Sequence, residues 1–220
     1  MIIGSRANVV LHWGKSRVIG AFYEDCLKGG DVEIEYSDGL IRPLSAERWL
    51  RYNEGDEHIL ARCGGPTLDV GSGPGRLTVA LTRMGIPAMG IDIAPLAVEL
   101  TRRAGGLALR TCVFEPLPGT GRWAEALLAD GNIGIGGDPA ALLRRMRELV
   151  RPGGTVIAEL SPPRSQSKVQ TVRLRQAGRT GDWFTWATVS IDDIATLAGR
   201  SGFPTVERWN AAGRWFASLS

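Results

Sequence analysis

Three glycines at alternate positions, with one carboxylate before them and another closing the next strand, are the residues of this chain best placed to do chemistry. Leu68 to Arg76 reads LDVGSGPGR, between a short apolar run and a segment of helical spacing. Gly71, Gly73 and Gly75 permit a tight turn, let backbone approach a ligand without intervening Cβ atoms, and let the following helix sit close to the sheet. The spacing alone is weak evidence, because many glycine turns are only turns. Two acids sharpen it. Asp69 stands two residues before the first glycine, where it can meet a cationic ligand group. Asp92 stands 17 residues after Gly75, where a carboxylate accepts hydrogen bonds from both hydroxyls of a ribose. A dinucleotide shares the ribose but brings a pyrophosphate to the helix N-terminus, and an acid at position 69 repels it. The rival reading makes Asp69 a strand-end turn former and Asp92 a helix N-cap.

A nucleoside bearing an amino group in place of phosphates satisfies both acids, and S-adenosylmethionine is such a ligand. LDVGSGPGR, GIDIAP (Gly90 to Pro95) and LVRPGGTVIAEL (Leu149 to Leu160) resemble, in order, the motifs of class I S-adenosylmethionine-dependent methyltransferases. FEPLPGTGRW (Phe114 to Trp123), LLADGNIGIGGDP (Leu127 to Pro139) and GRWFASL (Gly213 to Leu219) are similar to a narrower group of small bacterial methyltransferases. The resemblance covers roughly residues 64–220; Ser72 stands where many members have Cys. It implies that Asp69, Gly71, Ser72, Gly73, Pro74 and Gly75 hold the methionine part and that Asp92 holds the ribose. It places Ile93 on the adenine, with Phe114 and Glu115 flanking the adenine edge. The alternative is that Ile93 and Phe114 are plain core residues and Glu115 a loop acid.

Methyl transfer is an in-line displacement on a methyl group already activated by its sulfonium, so the protein's main contribution is orientation, and no catalytic triad is required. Acceptors approach the carboxyl edge of a parallel sheet near the end of the fourth strand, which points to Asp130 and Asn132 as the catalytic candidates. Asp130 can take a proton or orient a hydroxyl or amine, and Asn132 can donate and accept at once; turn formation is the competing explanation. The Asn/Asp-Pro-Pro-aromatic motif common in methylation of nucleobase amines is absent there, since Ser161-Pro162-Pro163 comes one strand later. Trp183, Phe184, Trp186, Trp209 and Trp215 are candidates for an acceptor pocket or for packing. His12 and His58 are candidate bases or ordinary surface histidines.

The elements that must position these residues follow from alternating patterns. Apolar runs at Thr67 to Val70, Ala88 to Ile91, Ala108 to Phe114, Ala124 to Ala129 and Thr155 to Leu160 read as strands. Helical patterns at Arg76 to Met84, Pro95 to Arg103, Pro139 to Val150 and Ile191 to Arg200 separate or follow them, Asp138 capping the third. Thr205 to Trp209 and Arg214 to Leu219 form a hairpin around Ala211-Ala212-Gly213, which forces antiparallel pairing. The expected fold is α/β, Rossmann-like and doubly wound, with a mostly parallel seven-stranded sheet ending in an antiparallel C-terminal hairpin. Residues 65–220 form the S-adenosylmethionine-binding domain. Residues 1–64 form an N-terminal cap or lid, holding a helix near Lys15 to Leu27, a hairpin at Val32 to Leu44 and short helices around Ala46 to Leu50 and Asp56 to Arg62, with Trp49 as its anchor. Residues 164–190, polar and then aromatic, also fall outside the core.

At 220 residues the chain holds one α/β domain with a small cap. Its charge of +3 is spread out, and of 26 basic residues only Lys15, Lys28 and Lys168 are lysine. Without a basic stripe, a nucleic-acid partner is disfavoured. Cys26, Cys63 and Cys112 match no zinc spacing, so no metal is expected, and reduced thiols point to the cytoplasm. No apolar run reaches the ~18 residues of a membrane span. The expected activity is methyl transfer from S-adenosylmethionine to a small-molecule acceptor. An RNA- or protein-directed methyltransferase and a non-catalytic S-adenosylmethionine-binding protein are the alternatives.

Overall fold

A computed structural model describes residues 17–220. Alternating apolar strands and amphipathic helices assemble as the sequence pattern predicts: β3 (Thr67–Val70), α4 (Arg76–Arg83), β4 (Ala88–Asp92), α5 (Pro95–Arg103), β5 (Leu107–Arg110), β6 (Trp123–Leu128), α6 (Pro139–Leu149) and β7 (Val150–Leu160). They are followed by α7 (Ile194–Arg200), β11 (Val206–Ala211) and β12 (Arg214–Leu219). Seven strands form one sheet in the order β11-β12-β7-β6-β3-β4-β5. Strands β3 to β7 run parallel, β12 is antiparallel to β7, and β11 to β12. The order reverses between β3 and β6, and beside that switch point a doubly wound sheet opens its ligand crevice.

Period-two alternation splits the core between the two faces of the sheet. On β6, Ala126 and Leu128 join Leu142, Met146 and Phe203 on one face, while Leu127 joins Leu77, Leu81, Ile157 and Phe216 on the other. All four residues of β3 are buried, as the centre of a sheet covered on both sides demands. Asp138 caps α6 by accepting from the Ala141 amide at 2.9 Å. One predicted strand is corrected. The apolar run Ala108 to Phe114 stops pairing at Arg110, and the Glu115 amide turns back onto the Cys112 carbonyl.

A second sheet lies over the crevice. β1 (Val32–Tyr36) and β2 (Ile41–Leu44) form the predicted hairpin, and β1 also pairs antiparallel with β8 (Lys168–Gln176). β8 pairs with β10 (Phe184–Thr188) and with the two-residue β9 (Arg179–Thr180). This cap is therefore built from two segments far apart in sequence. α1 (Arg17–Leu27) seats it on the main domain, where Phe22, Cys26, Val32 and Leu174 pack with Ala94 and Ala97 around the start of α5. α2 (Glu47–Leu50) stands beside the crevice, and α3 (Asp56–Leu60) buries Ile59 and Leu60 against the Leu77–Leu81 face.

Candidate active site

The glycine turn leaves β3 and enters α4 with Gly71, Gly73 and Gly75 at φ 67°, 56° and 85°. None of the three has room for a side chain: a Cβ on Gly71 would lie 2.8 Å from Asn132 Nδ2. A Cβ on Gly73 would lie 2.9 Å from the Tyr23 hydroxyl, and one on Gly75 would run into the Thr101 side chain, which holds α5 against the turn. Ser72 sits between them with a buried Oγ that has no hydrogen-bond partner. Pro74 is half-buried and stands back from the cavity.

Both flanking acids face the cavity at the carboxyl edge of the sheet. Asp69 accepts from the Thr78 amide at 3.2 Å and the Thr78 hydroxyl at 2.7 Å. Burial pushes its carboxyl up to about 6, although the bonds from Thr78 and the charge of Arg76 pull the other way. Asp92 accepts from the Gly73 amide at 2.9 Å and the Ala94 amide at 2.8 Å, so it braces the glycine turn and caps the approach to α5 together. Burial also raises the Asp92 carboxyl, opposed by those amides.

Ile93 lines the cavity, and Thr111, Cys112 and Val113 continue its wall. Phe114 and Glu115, the expected adenine-edge residues, do not line it. Phe114 packs against the core, and Glu115 is exposed, its carbonyl accepting from Arg145 at 2.9 Å. The early end of β5 moves the wall back by one to three residues.

Asp130 and Asn132 both line the cavity, and each is also tied into the protein. Asn132 donates through Nδ2 to the carbonyls of Val70 at 2.9 Å and Gly71 at 3.0 Å, tying the end of β6 to the glycine turn. Asp130 has φ 52°, and its carboxylate accepts from Arg76. It opens onto a network the sequence did not reveal. Arg76 also binds Asp56, whose other oxygen takes Arg214 at 2.7 Å; Arg214 in turn forks onto Glu159 at 3.0 and 2.8 Å, and Glu159 accepts from the Asp130 amide at 2.7 Å. Burial raises Asp56 and Glu159, but their arginine bonds outweigh it and hold both below the usual carboxylate range. At Asp130 burial wins over Arg76, and the carboxyl is raised.

The cap supplies the opposite wall: Tyr23, Tyr36, Trp49, Val172, Phe184 and Trp186 all face the cavity, whose volume is about 370 Å³. Tyr23 packs on Trp49 with ring centroids 5.3 Å apart. Of the other aromatic candidates, Trp183 is exposed, and Trp209 stacks on Phe216 at 5.4 Å. Trp215 packs against the core and lines a neighbouring groove. His58 is exposed on α3, 3.8 Å from Glu57 and away from the cavity, and His12 lies outside the described residues. Among the described residues no cluster of His, Cys, Asp or Glu could hold a metal ion, and no helix is long and apolar enough to cross a membrane.

This strand order, with its reversed final strand and a glycine turn set between Asp69 and Asp92, is the Rossmann-like fold that S-adenosylmethionine-dependent methyltransferases share. Residues 68–158 match the family profile described as "Methyltransferase domain". Among curated relatives, the ubiquinone biosynthesis O-methyltransferase of Cereibacter sphaeroides is 28% identical over 153 residues, 64% of this chain and 61% of that protein. The protein of the same name from Methylocella silvestris is 36% identical over 96 residues, 41% of this chain and 38% of its own. The chain thus spans about three-fifths or less of the length of these relatives. A Bacteroides fragilis S-adenosylmethionine-dependent methyltransferase, solved with S-adenosylhomocysteine, superposes with a TM-score of 0.76 at 22% identity, covering 94% of this chain and 95% of that one. The 1,6-didemethyltoxoflavin-N1-methyltransferase of Burkholderia thailandensis gives 0.53 at 20% identity, covering 79% and 78%. Both show the fold.

The site residues fit S-adenosylmethionine. A turn that admits no Cβ at Gly73, an acid beside it at Asp69 and a second acid at Asp92 suit an amino-acid end and a ribose. A pyrophosphate would meet two buried carboxylates.

Proposed function

We propose that this protein transfers a methyl group from S-adenosylmethionine to a small-molecule acceptor bound beneath the cap. One observation carries the reading: a single cavity runs from the glycine turn and Asp92 to the inward face of the cap sheet, with Asp130 and Asn132 between them. The roof stands where a macromolecular acceptor would need open ground. When bound, S-adenosylmethionine supplies a methyl group that its positive sulfur makes open to displacement.

The chain's own residues do the rest. Asp69 and the turn residues Gly71 to Gly73 orient the methionine end, Asp92 the ribose, and Ile93 with Val113 the adenine. Asn132 keeps the turn in register with the end of β6, and Asp130 meets the acceptor. The cap hairpin of residues 32–44 and Trp49 exclude water from the transfer, so the N-terminal segment acts as a lid. Relatives named for ubiquinone biosynthesis and for 1,6-didemethyltoxoflavin support a small-molecule acceptor. Calorimetric titration tests the core of the reading. S-adenosylhomocysteine should bind at micromolar concentration and NAD should not; the reverse result would overturn it.

A further inference from the structure

We propose that the space beneath the cap receives a planar, uncharged aromatic acceptor bearing a phenolic hydroxyl or an aromatic amine, with that heteroatom against Asp130. The proposal rests on the methyl-transfer reading above and gives the acceptor its chemical class.

The shape of the roof is the first argument. Alternation along the cap strands turns Ile34, Tyr36, Val172, Leu174, Phe184 and Trp186 into the cavity. The intervening residues Glu33, Glu35, Arg173 and Arg175 pair with one another on the opposite face, Arg173 with Glu35 at 2.9 Å and Arg175 with Glu33 at 3.2 Å. Cross-strand register sets Tyr36, Val172 and Phe184 in one row and Ile34 with Leu174 in the next. The roof is thus an apolar surface edged by rings, with Gln170 and Thr188 as its polar members, and Tyr23 and Trp49 close the side toward the glycine turn. A flat ring fills such a space with ring-to-ring contacts; a polyhydroxylated acceptor would bury hydroxyls against Ile34, Val172 and Leu174, more of them than Gln170 and Thr188 can bond.

Charge is the second. Among the described lining residues the one cation is Arg76, and it is committed to Asp56 and Asp130. A carboxylate or phosphate on the acceptor would face Asp69, Asp92 and Asp130 with no free arginine among the described lining residues to answer it. An aliphatic ammonium meets the opposite difficulty, since a carboxylate beside it holds its proton on nitrogen and ties up the lone pair that must attack. Phenols and aromatic amines avoid both.

The third is an unanswered acceptor. Asp130 Oδ1 is buried and has no hydrogen-bond partner, with Arg214 and Arg48 at 3.7 and 4.0 Å. An acceptor O–H or N–H supplies the missing donor. In the transfer the heteroatom's lone pair forms the new bond to the methyl carbon, and the carbon–sulfur pair stays on sulfur. The acceptor's proton passes to Asp130 and on to water.

The test uses the full chain saturated with S-adenosylhomocysteine and, as probes, 2-naphthol, 4-methylaniline, cyclohexylamine and benzoate, followed by calorimetry. The neutral aromatics should bind and the other two should not. With S-adenosylmethionine, mass spectrometry should show the bound aromatics gaining one methyl group. Phe184→Ala should raise KM about tenfold, the scale of a lost aromatic contact, while S-adenosylhomocysteine affinity stays within threefold. Tyr36→Ala, in the same cross-strand row, is the second variant should the first fold poorly. Binding of cyclohexylamine or benzoate in preference to the aromatics, or an unchanged KM in both variants, overturns the proposal. Failure to bind S-adenosylhomocysteine at all overturns instead the methyl-transfer reading, and the acceptor class falls with it.

Discussion

Replacing Asp92 with alanine separates a role in folding from a role in binding, because this side chain is placed to serve both. In the free protein its two oxygens answer the amides of Gly73 and Ala94 at 2.9 and 2.8 Å. Bonds to a charged acceptor contribute about 1.5–3 kcal/mol each. Water entering the adjoining cavity recovers part of this, leaving a loss of about 2–3 kcal/mol. For a chain of this length that lowers Tm by about 4–12 °C. Binding loses a further pair of bonds, those from the ribose hydroxyls. After the carboxylate's own desolvation is offset, about 2–4 kcal/mol is lost, which weakens S-adenosylhomocysteine about thirtyfold to a thousandfold. Differential scanning fluorimetry and calorimetry at one temperature, well below the variant's melting point, read the two effects apart. An Asp92→Ala protein that melts earlier yet binds S-adenosylhomocysteine within threefold of the parent would refute the ribose assignment and leave Asp92 as a brace for the turn.

The raised Asp69 carboxyl gives a pH signature. Its contribution to folding is fully present below the ordinary value of 3.8 and is lost as pH rises through about 6, whereas an ammonium ligand needs it ionised; S-adenosylhomocysteine affinity should therefore fall up to tenfold per unit below pH 6 in calorimetry, and Asp69→Asn should flatten that profile. Asp130→Asn should lower the methylation rate about a hundredfold with S-adenosylhomocysteine affinity within threefold, while Asn132→Ala, which frees two turn carbonyls, should lower affinity and rate together; equal behaviour of the two variants would contradict their different bonding. Asp56→Asn leaves Arg76 and Arg214 without their shared buried partner, a loss of about 3–5 kcal/mol that should appear as a fall in Tm of about 6–20 °C, and a fall under 3 °C would show that the network adds little.

The main sheet was legible because its signals are local. The glycine turn, the Asp138 cap and the apolar strands each occupy a dozen residues or fewer, and their order along the chain implies parallel pairing. The end of β5 is hidden in the sequence because Leu109 to Phe114 is apolar enough for a strand. What stops it is a turn between Cys112 and Glu115, which composition does not announce. The roof of the site was hidden for a different reason. Val172 and Leu174 alternate with arginines, a faint half-buried pattern whose partner, Glu33 to Tyr36, lies more than a hundred residues away. The ion network was less legible still. Asp56, Glu159 and Arg214 each look like an ordinary surface charge in sequence, and only the fold brings them to Arg76 and Asp130.

The two-part origin of the cap has a consequence for how the chain is made. The hairpin of residues 32–44 leaves a ribosome early, yet the strand that β1 must pair with, Lys168–Gln176, follows only after the whole parallel sheet through β7 has been synthesised. Through that interval Ile34 and the free edge of β1 have no native neighbour on that side. A strand edge left waiting is open to wrong partners, and closing a loop of this length is entropically slow. The last event in folding should be the one that roofs the cavity, so the protein gains its main sheet well before it gains an enclosed acceptor site.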